Sequence, residues 1–258
     1  MCEMQCNNFF WAEEQDIPAG SGFSLWGKAH LLALAVIALV IVALTVWFGK
    51  LKSEKQTVFL RIIAIALPIL EVVRIVVLCL DGRMGVGHLP LHLCSLAIYI
   101  YPVIAFYPNE KVRGFLAEFS LITLLPASLS ALLFPDWTMY PLMNFFSLHS
   151  FIWHGLQIAF PIHCLMVKWY SPNVRNLWKN TLFLLAGGVL VGLFDSRMSC
   201  NYWFLRHPVP DTPLEWIYNI AGAKWYVASL LLLSILVNLA VYAVYYLYAN
   251  HSSKKIER

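Results

Sequence analysis

The sequence predicts an all-α, polytopic membrane protein, a single bundle of seven transmembrane helices, and three observations support that class. Of its 258 residues 60% are hydrophobic and only 12% are charged, with a mean hydropathy of +0.68, far from the mixture of a soluble domain. Ten Trp and twelve Tyr suit a chain that meets two membrane interfaces, where amphipathic rings settle at headgroup level. Apolar stretches long enough to cross a bilayer core of about 30 Å recur between charged or turn-forming segments.

The stretches fall at 31–48, 58–80, 89–106, 115–134, 141–167, 177–194 and 225–248. They divide the chain into an extracytoplasmic N-terminal segment (1–30), a membrane domain (31–249) and a cytoplasmic tail (250–258). The first segment contains Glu3, Glu13, Glu14 and Asp16, so it lacks the basic region that precedes the apolar core of a signal peptide. Most of the 18 Lys and Arg flank alternate connections: Lys50, Lys52, Lys55 and Arg61; Lys111 and Arg113; Lys168, Arg175 and Lys179; Lys254, Lys255 and Arg258. The positive-inside rule then puts the N-terminus outside and the C-terminus in the cytoplasm of a multi-pass cell-membrane protein. The net charge of +4 is a topology signal in this setting and implies no nucleic-acid partner. The partners expected are the lipid bilayer and a lipid or small-molecule ligand.

Polar groups inside the spans are the informative residues, because a charge near a helix centre costs about 2.5–3.5 kcal/mol on insertion scales and turns toward the bundle interior. Glu71 and Arg74 lie i, i+3 in the second span, which fits a structural ion pair as well as a binding role. His92 opens the third span; His149, His154 and Gln157 occupy the fifth; Asp195 closes the sixth, with Asn201 and Arg206 beyond it. Ser147, Ser150, His154 and Gln157 form a stripe at i, i+3, i+7, i+10, either helix–helix glue or a cavity wall. In the predicted topology these groups collect in the outer half of the membrane, where they would border one outward-facing cavity. His149 and His92 are the candidate catalytic bases, and Glu71, Arg74, His154, Gln157, Asp195, Asn201 and Arg206 the candidate ligand contacts.

Several residues also have plainer readings. Gly188 and Gly192 read as a close-packing pair. Pro90 suits the first position of a helix, where its missing N–H is not needed. His88 and His92 have a spacing that can hold a metal from adjacent turns, but no further ligand is assigned, so no metal or other cofactor is expected. On a helix, Cys94 would point about 200° away from His92, which argues against a nucleophile–base pair. Cys2, Cys6 and Cys200 fall on the predicted outer side, where disulfides persist.

Four segments together resemble a known family: His88-Leu89-Pro90-Leu91-His92-Leu93-Cys94, Ala131-Leu132-Leu133-Phe134-Pro135-Asp136, Phe146-Ser147-Leu148-His149 and Asn201-Tyr202-Trp203-Phe204-Leu205-Arg206. They are similar to the bacterial YwaF-like integral membrane family and, more distantly, to the eukaryotic transmembrane protein 164 family. The second resemblance implies acyl-transfer chemistry with a cysteine nucleophile between Pro and His; the matching position is Leu91, so that nucleophile is missing. The matching histidine is His149. Three classes of function stay open: a protein that binds or modifies a lipid acyl group, a transporter or channel with Glu118 in its inner half, and a ligand sensor without turnover.

Overall fold

The computed structural model describes residues 9–256; Cys2, Glu3, Cys6 and Arg258 lie outside the described part. Among the described residues the fold is all-helical, with no strand. α1 (Lys28–Gly49) is apolar on every side and buries little besides His30 and Phe48, so most of its surface is left to face lipid. α2 (Ser53–Leu80) includes Pro68. α3 (Leu96–Phe106) is short. α4 (Glu110–Leu133) is started by the Asn109 side chain, which accepts from the Lys111 and Val112 N–H groups, and contains a π-helical turn at Ser120–Leu124. α5 (Phe145–Met166) is capped in the same manner by Asn144. α6 (Leu177–Met198) and α7 (Pro213–Ile256) complete the bundle, α7 being broken where Gly222 takes φ 70°.

Five of these helices, α1, α2, α4, α6 and α7, are long and apolar enough to cross a membrane. The remaining two differ for physical reasons. α3 has 11 residues, about 16 Å at 1.5 Å per residue, because the first part of the expected third span is not helical. α5 has 22 residues but includes three histidines, Ser147 and Gln157, and it is the most enclosed helix, packed against α1, α2 and α4. Polar groups that lipid would penalise are thereby kept among protein neighbours.

The expectation of helix from residue 89 is corrected: α3 begins at Leu96, and Val86–His88 forms a single 3-10 turn. The carbonyls that such a helix would use are taken by distant donors. Tyr202 Oη donates to Val86 O at 2.5 Å, Arg74 Nη2 to His88 O at 2.5 Å and Trp203 Nε1 to Leu91 O at 2.8 Å. Unwound backbone inside a membrane bundle survives only where protein satisfies it in this way.

A core of Leu67, Tyr101, Ile104, Phe119, Phe160 and their neighbours joins α2, α3, α4 and α5, with Tyr101 stacked on Phe160 at 4.1 Å. The N-terminal segment is folded against one end of the bundle. Asn144 Nδ2 donates to the Phe9 and Ala12 carbonyls, Tyr140 Oη donates to Glu13, and Arg83 pairs with Glu13, Asp16 and Asp81. Hydrogen bonding to Asp16 and the three surrounding carboxylates hold Arg83 above its ordinary pKa. Gly22 is required there, since a Cβ would lie 2.1 Å from the Thr138 carbonyl.

Candidate functional site

Three polar regions among the described residues bear on the candidate site, and the third borders a cavity. The first is the ion pair of α2. Arg74 Nη2 reaches Glu71 Oε1 at 2.6 Å and Arg74 Nε reaches Oε2 at 3.1 Å, while the same guanidinium fixes the unwound 86–95 segment through His88. Glu71 and Arg74 thus anchor the segment that positions His92.

The second region lies along α5. Gln157 is fully buried and works as a cross-brace: its Nε2 donates to Cys94 O at 3.0 Å, its Oε1 accepts from Ser128 Oγ at 2.6 Å, and its own carbonyl accepts from Tyr101 Oη at 2.9 Å. His154 bonds Ser150 O through Nδ1 and stacks on Trp137, and His149 stacks on Trp153. The Nε2 atoms of both histidines, Ser147 Oγ and Trp137 Nε1 are buried with no hydrogen-bond partner among the described residues. His149 and His154 are therefore packed against aromatic faces, and neither is among the residues that line the cavity.

The third region is a cavity of about 670 Å³ between α4, α6 and α7, closed on one side by the 203–212 loop. α6 and α7 meet where Asn180 Nδ2 donates to Tyr242 Oη at 3.3 Å and diverge from there, leaving exposed Leu185 and Val189 on a lateral opening. Its walls are mainly apolar, from Pro126, Ala127, Leu184, Val227 and Leu230 among others. Polar groups gather at the end nearest the loops: His92, Asp136, Arg206 and Thr212. Of the candidate catalytic and ligand-contact residues, His92 and Arg206 are in the wall; Glu71, Arg74, His149, His154, Gln157, Asp195 and Asn201 are not.

Local structure explains how the mouth is built. Asn201 Oδ1 accepts from the Arg206 and His207 N–H groups and its Nδ2 donates to His207 O, closing a loop that holds Arg206 over the cavity. Trp203 and Phe204 both take left-handed φ, 55° and 54°, an unusual backbone for bulky residues, and the Trp203 ring lies against α6. A Cβ on Gly187 would meet Trp203 Cη2 at 2.8 Å, and Gly188 and Gly192 face Trp203 and Leu205 at ordinary contact distance. The close packing expected of Gly188 and Gly192 is thus with Trp203 and Leu205 of the loop. His92 is edge-on to Tyr202 at 4.8 Å and tilted against Phe204 at 5.5 Å. Asp195 is fully buried, and its backbone carbonyl accepts from Arg206 Nη1 at 3.3 Å. Asp136, in the loop between α4 and α5, presents its exposed surface to the cavity; the protein packed around it pushes its carboxyl above the ordinary range.

A family model, the TMEM164 family, matches residues 25–246, from just before α1 to the last part of α7. The chain belongs to the TMEM164 family. It is accordingly a multi-pass membrane protein, and the matched region contains the whole cavity. No curated protein and no solved structure matches the chain.

Within this TMEM164-family fold the angular argument against Cys94 fails, because residues 89–95 do not form a helix. Cys94 and His92 line the same cavity. Among the described residues Cys79, Cys94, Cys164 and Cys200 are free thiols, and no group of three or more His, Cys, Asp or Glu is placed to hold a metal. Asp136, Thr123 and Asn238, all in the cavity wall, are not among the candidate site residues read from the sequence. Asn238 had a signal, as the one amide in the apolar stretch 225–248.

Proposed function

We propose that the protein binds an amphiphile with an acyl-type tail, drawn sideways from the membrane into the cavity between α4, α6 and α7. The observation that supports this reading is the cavity's two-part chemistry: apolar walls open to the lipid side, and His92, Asp136, Arg206 and Thr212 together at one end. A tail in the walls and a polar head at that end satisfy both, as expected of ligand sites that are mostly apolar with a few placed polar groups. Modification of the tail's acyl bond is the second reading. Cys94 and His92 share the wall with that end, whereas His149 does not line the cavity. Passage of a solute across the membrane has less support. Glu118, which an inner path would use, accepts from Asn173 N, Tyr242 Oη and Asn176 Nδ2, all at 2.7 Å.

The proposed topology is the seven-span one, with α3 and α5 crossing inside the bundle, the N-terminus outside and the C-terminus in the cytoplasm of the cell membrane. The finer resemblance to the bacterial YwaF-like group belongs to the same reading. A reporter after Arg258 should be cytoplasmic and a tag before Glu3 external; both on one side would remove the seven-span arrangement.

Native mass spectrometry of protein extracted gently from membranes tests the binding reading. Wild type and the lipid-facing control Val40→Ala should retain a lipid-sized adduct, whereas Ala127→Trp and Leu230→Trp, which fill the cavity, should lose it at unchanged thermal stability. No adduct on wild type, or equal retention by all four proteins, would overturn it.

A further inference from the structure

The cavity has a second polar feature, at the end remote from Arg206. Thr123 and Asn238 both contribute to its wall, yet are only 4% and 2% exposed, so they close it instead of lining an onward passage. In the amide orientation that satisfies both ends, Asn238 accepts from Thr123 Oγ1 at 3.3 Å and donates to Ile122 O at 2.5 Å and Ser234 O at 3.2 Å. Ile122 and Thr123 belong to the π turn of α4, and Ser234 to α7, so this one side chain ties the two helices together across the cavity's base.

Immediately behind lies another layer. Tyr242, one turn beyond Asn238 on α7, donates to Glu118 and receives Asn180 Nδ2 from α6; Glu118 also receives Asn176 Nδ2 and Asn173 N. Glu118, Asn180 and Tyr242 are each no more than 3% exposed. Two hydrogen-bonded tiers therefore lie below the cavity, the first joining α4 to α7 and the second joining α4, α6 and α7. An apolar tail pushed past Asn238 would separate buried polar partners and leave them unpaired in a medium without water, a cost of several kcal/mol per group.

From this we infer that Asn238 and Thr123 form an end-stop that sets the longest tail the cavity accepts, an inference that rests on the proposed binding of an acyl-tailed amphiphile. Along α4 the cavity extends from Phe134 to Thr123, a rise of about 16 Å, close to the half-thickness of about 15 Å of a bilayer's hydrocarbon core. A tail of single-leaflet length fits between the polar mouth and the stop. A longer one must bend or leave carbons outside. The ligand class is thus a single-tailed amphiphile, or one tail of a two-tailed lipid, selected by length. A head with both signs of charge suits a mouth that offers Arg206 and Asp136.

The test uses purified full-length protein equilibrated with an equimolar set of saturated lysophosphatidylcholines that differ only in tail length, with bound species read by native mass spectrometry. Below the limit, occupancy should change little with length, since the tail moves between two apolar media. Across the limit it should fall about tenfold, as expected when a filled site is overpacked. Asn238→Ala and Thr123→Ala should each move the fall to longer tails, while the lipid-facing control Val40→Ala should leave it in place. Thr123→Ala removes few atoms, so it serves if Asn238→Ala does not fold. Occupancy without a fall, or a fall unmoved in both alanine variants, would overturn the end-stop and leave the binding reading intact. Failure of every tail length to bind would overturn both.

Discussion

The two halves of the bundle are built on opposite terms. In the α2–α3–α4–α5 half, polar side chains are spent on fixing backbone: Gln157 holds Cys94 O and Ser128, and Arg74 holds Glu71 and His88 O. In the α4–α6–α7 half, the helices are joined at their base and left apart above it, and the gap is about 670 Å³. The contrast teaches that intramembrane polar residues do not by themselves mark a binding site. Most of those in this chain stabilise the wall, and the space lies where apolar residues face one another without contact.

Substitutions can break that contrast, and the largest effect should come from the rigid half. Glu71→Gln or Arg74→Gln leaves a partly buried charge without its partner and should cost about 3 kcal/mol, the low end for such pairs. The double variant should recover part of the loss, read as a partial return of the unfolding midpoint in detergent; simple additivity would mean that the pair is uncoupled. Gln157→Leu should follow, at about 2 kcal/mol, because it strands Ser128 Oγ and the Cys94 carbonyl in the interior. Loss of lipid retention should accompany it only if the Cys94 wall shifts.

In the open half the same kind of change should act on binding more than on stability. Gly187→Ala puts a Cβ against the Trp203 ring, for about 1 kcal/mol of strain, and should displace the loop that presents Arg206. Retained lipid should fall while the unfolding midpoint moves little; an unchanged adduct would detach the loop from the site. The smallest effect is a pH dependence. Burial raises the Asp136 carboxyl, so its neutral form persists to higher pH than an ordinary aspartate's, and the mouth gains negative charge as pH rises through that raised value. Binding of an anionic amphiphile beside Arg206 should strengthen as pH falls through the same range, and Asp136→Asn should flatten that part of the profile.

Hydropathy was enough to locate the five helices long and apolar enough to cross a membrane, because a bilayer core sets the length such a run needs. It misplaced the start of α3 because the donors that hold the Val86, His88 and Leu91 carbonyls come from Tyr202, Arg74 and Trp203, distant in sequence. That error propagated, since the separation of His92 from Cys94 was argued from helical geometry. Of the candidate site residues, His92 and Arg206 proved to be in the cavity wall, and both came from recognisable motifs. Thr123 had no such signal, since a threonine in an apolar run is ordinary until a void opens beside it; Asp136 closes one of the family-like segments, but an aspartate in a turn is ordinary on the same terms. A void is the one structural element that no periodicity encodes.

The π turn of α4 has a consequence for how this helix tolerates change in length. A π turn holds one residue more than the α-helical turn it replaces, while the helix on either side keeps its phase. Removing a single residue within Ser120–Leu124 should therefore leave both flanks of α4 facing their present neighbours, whereas the same deletion elsewhere in α4 would rotate everything beyond it by about 100°. Length variation among kindred chains should accordingly gather at this turn, and a chain one residue shorter here should keep its bundle but lose the carbonyl that Asn238 holds.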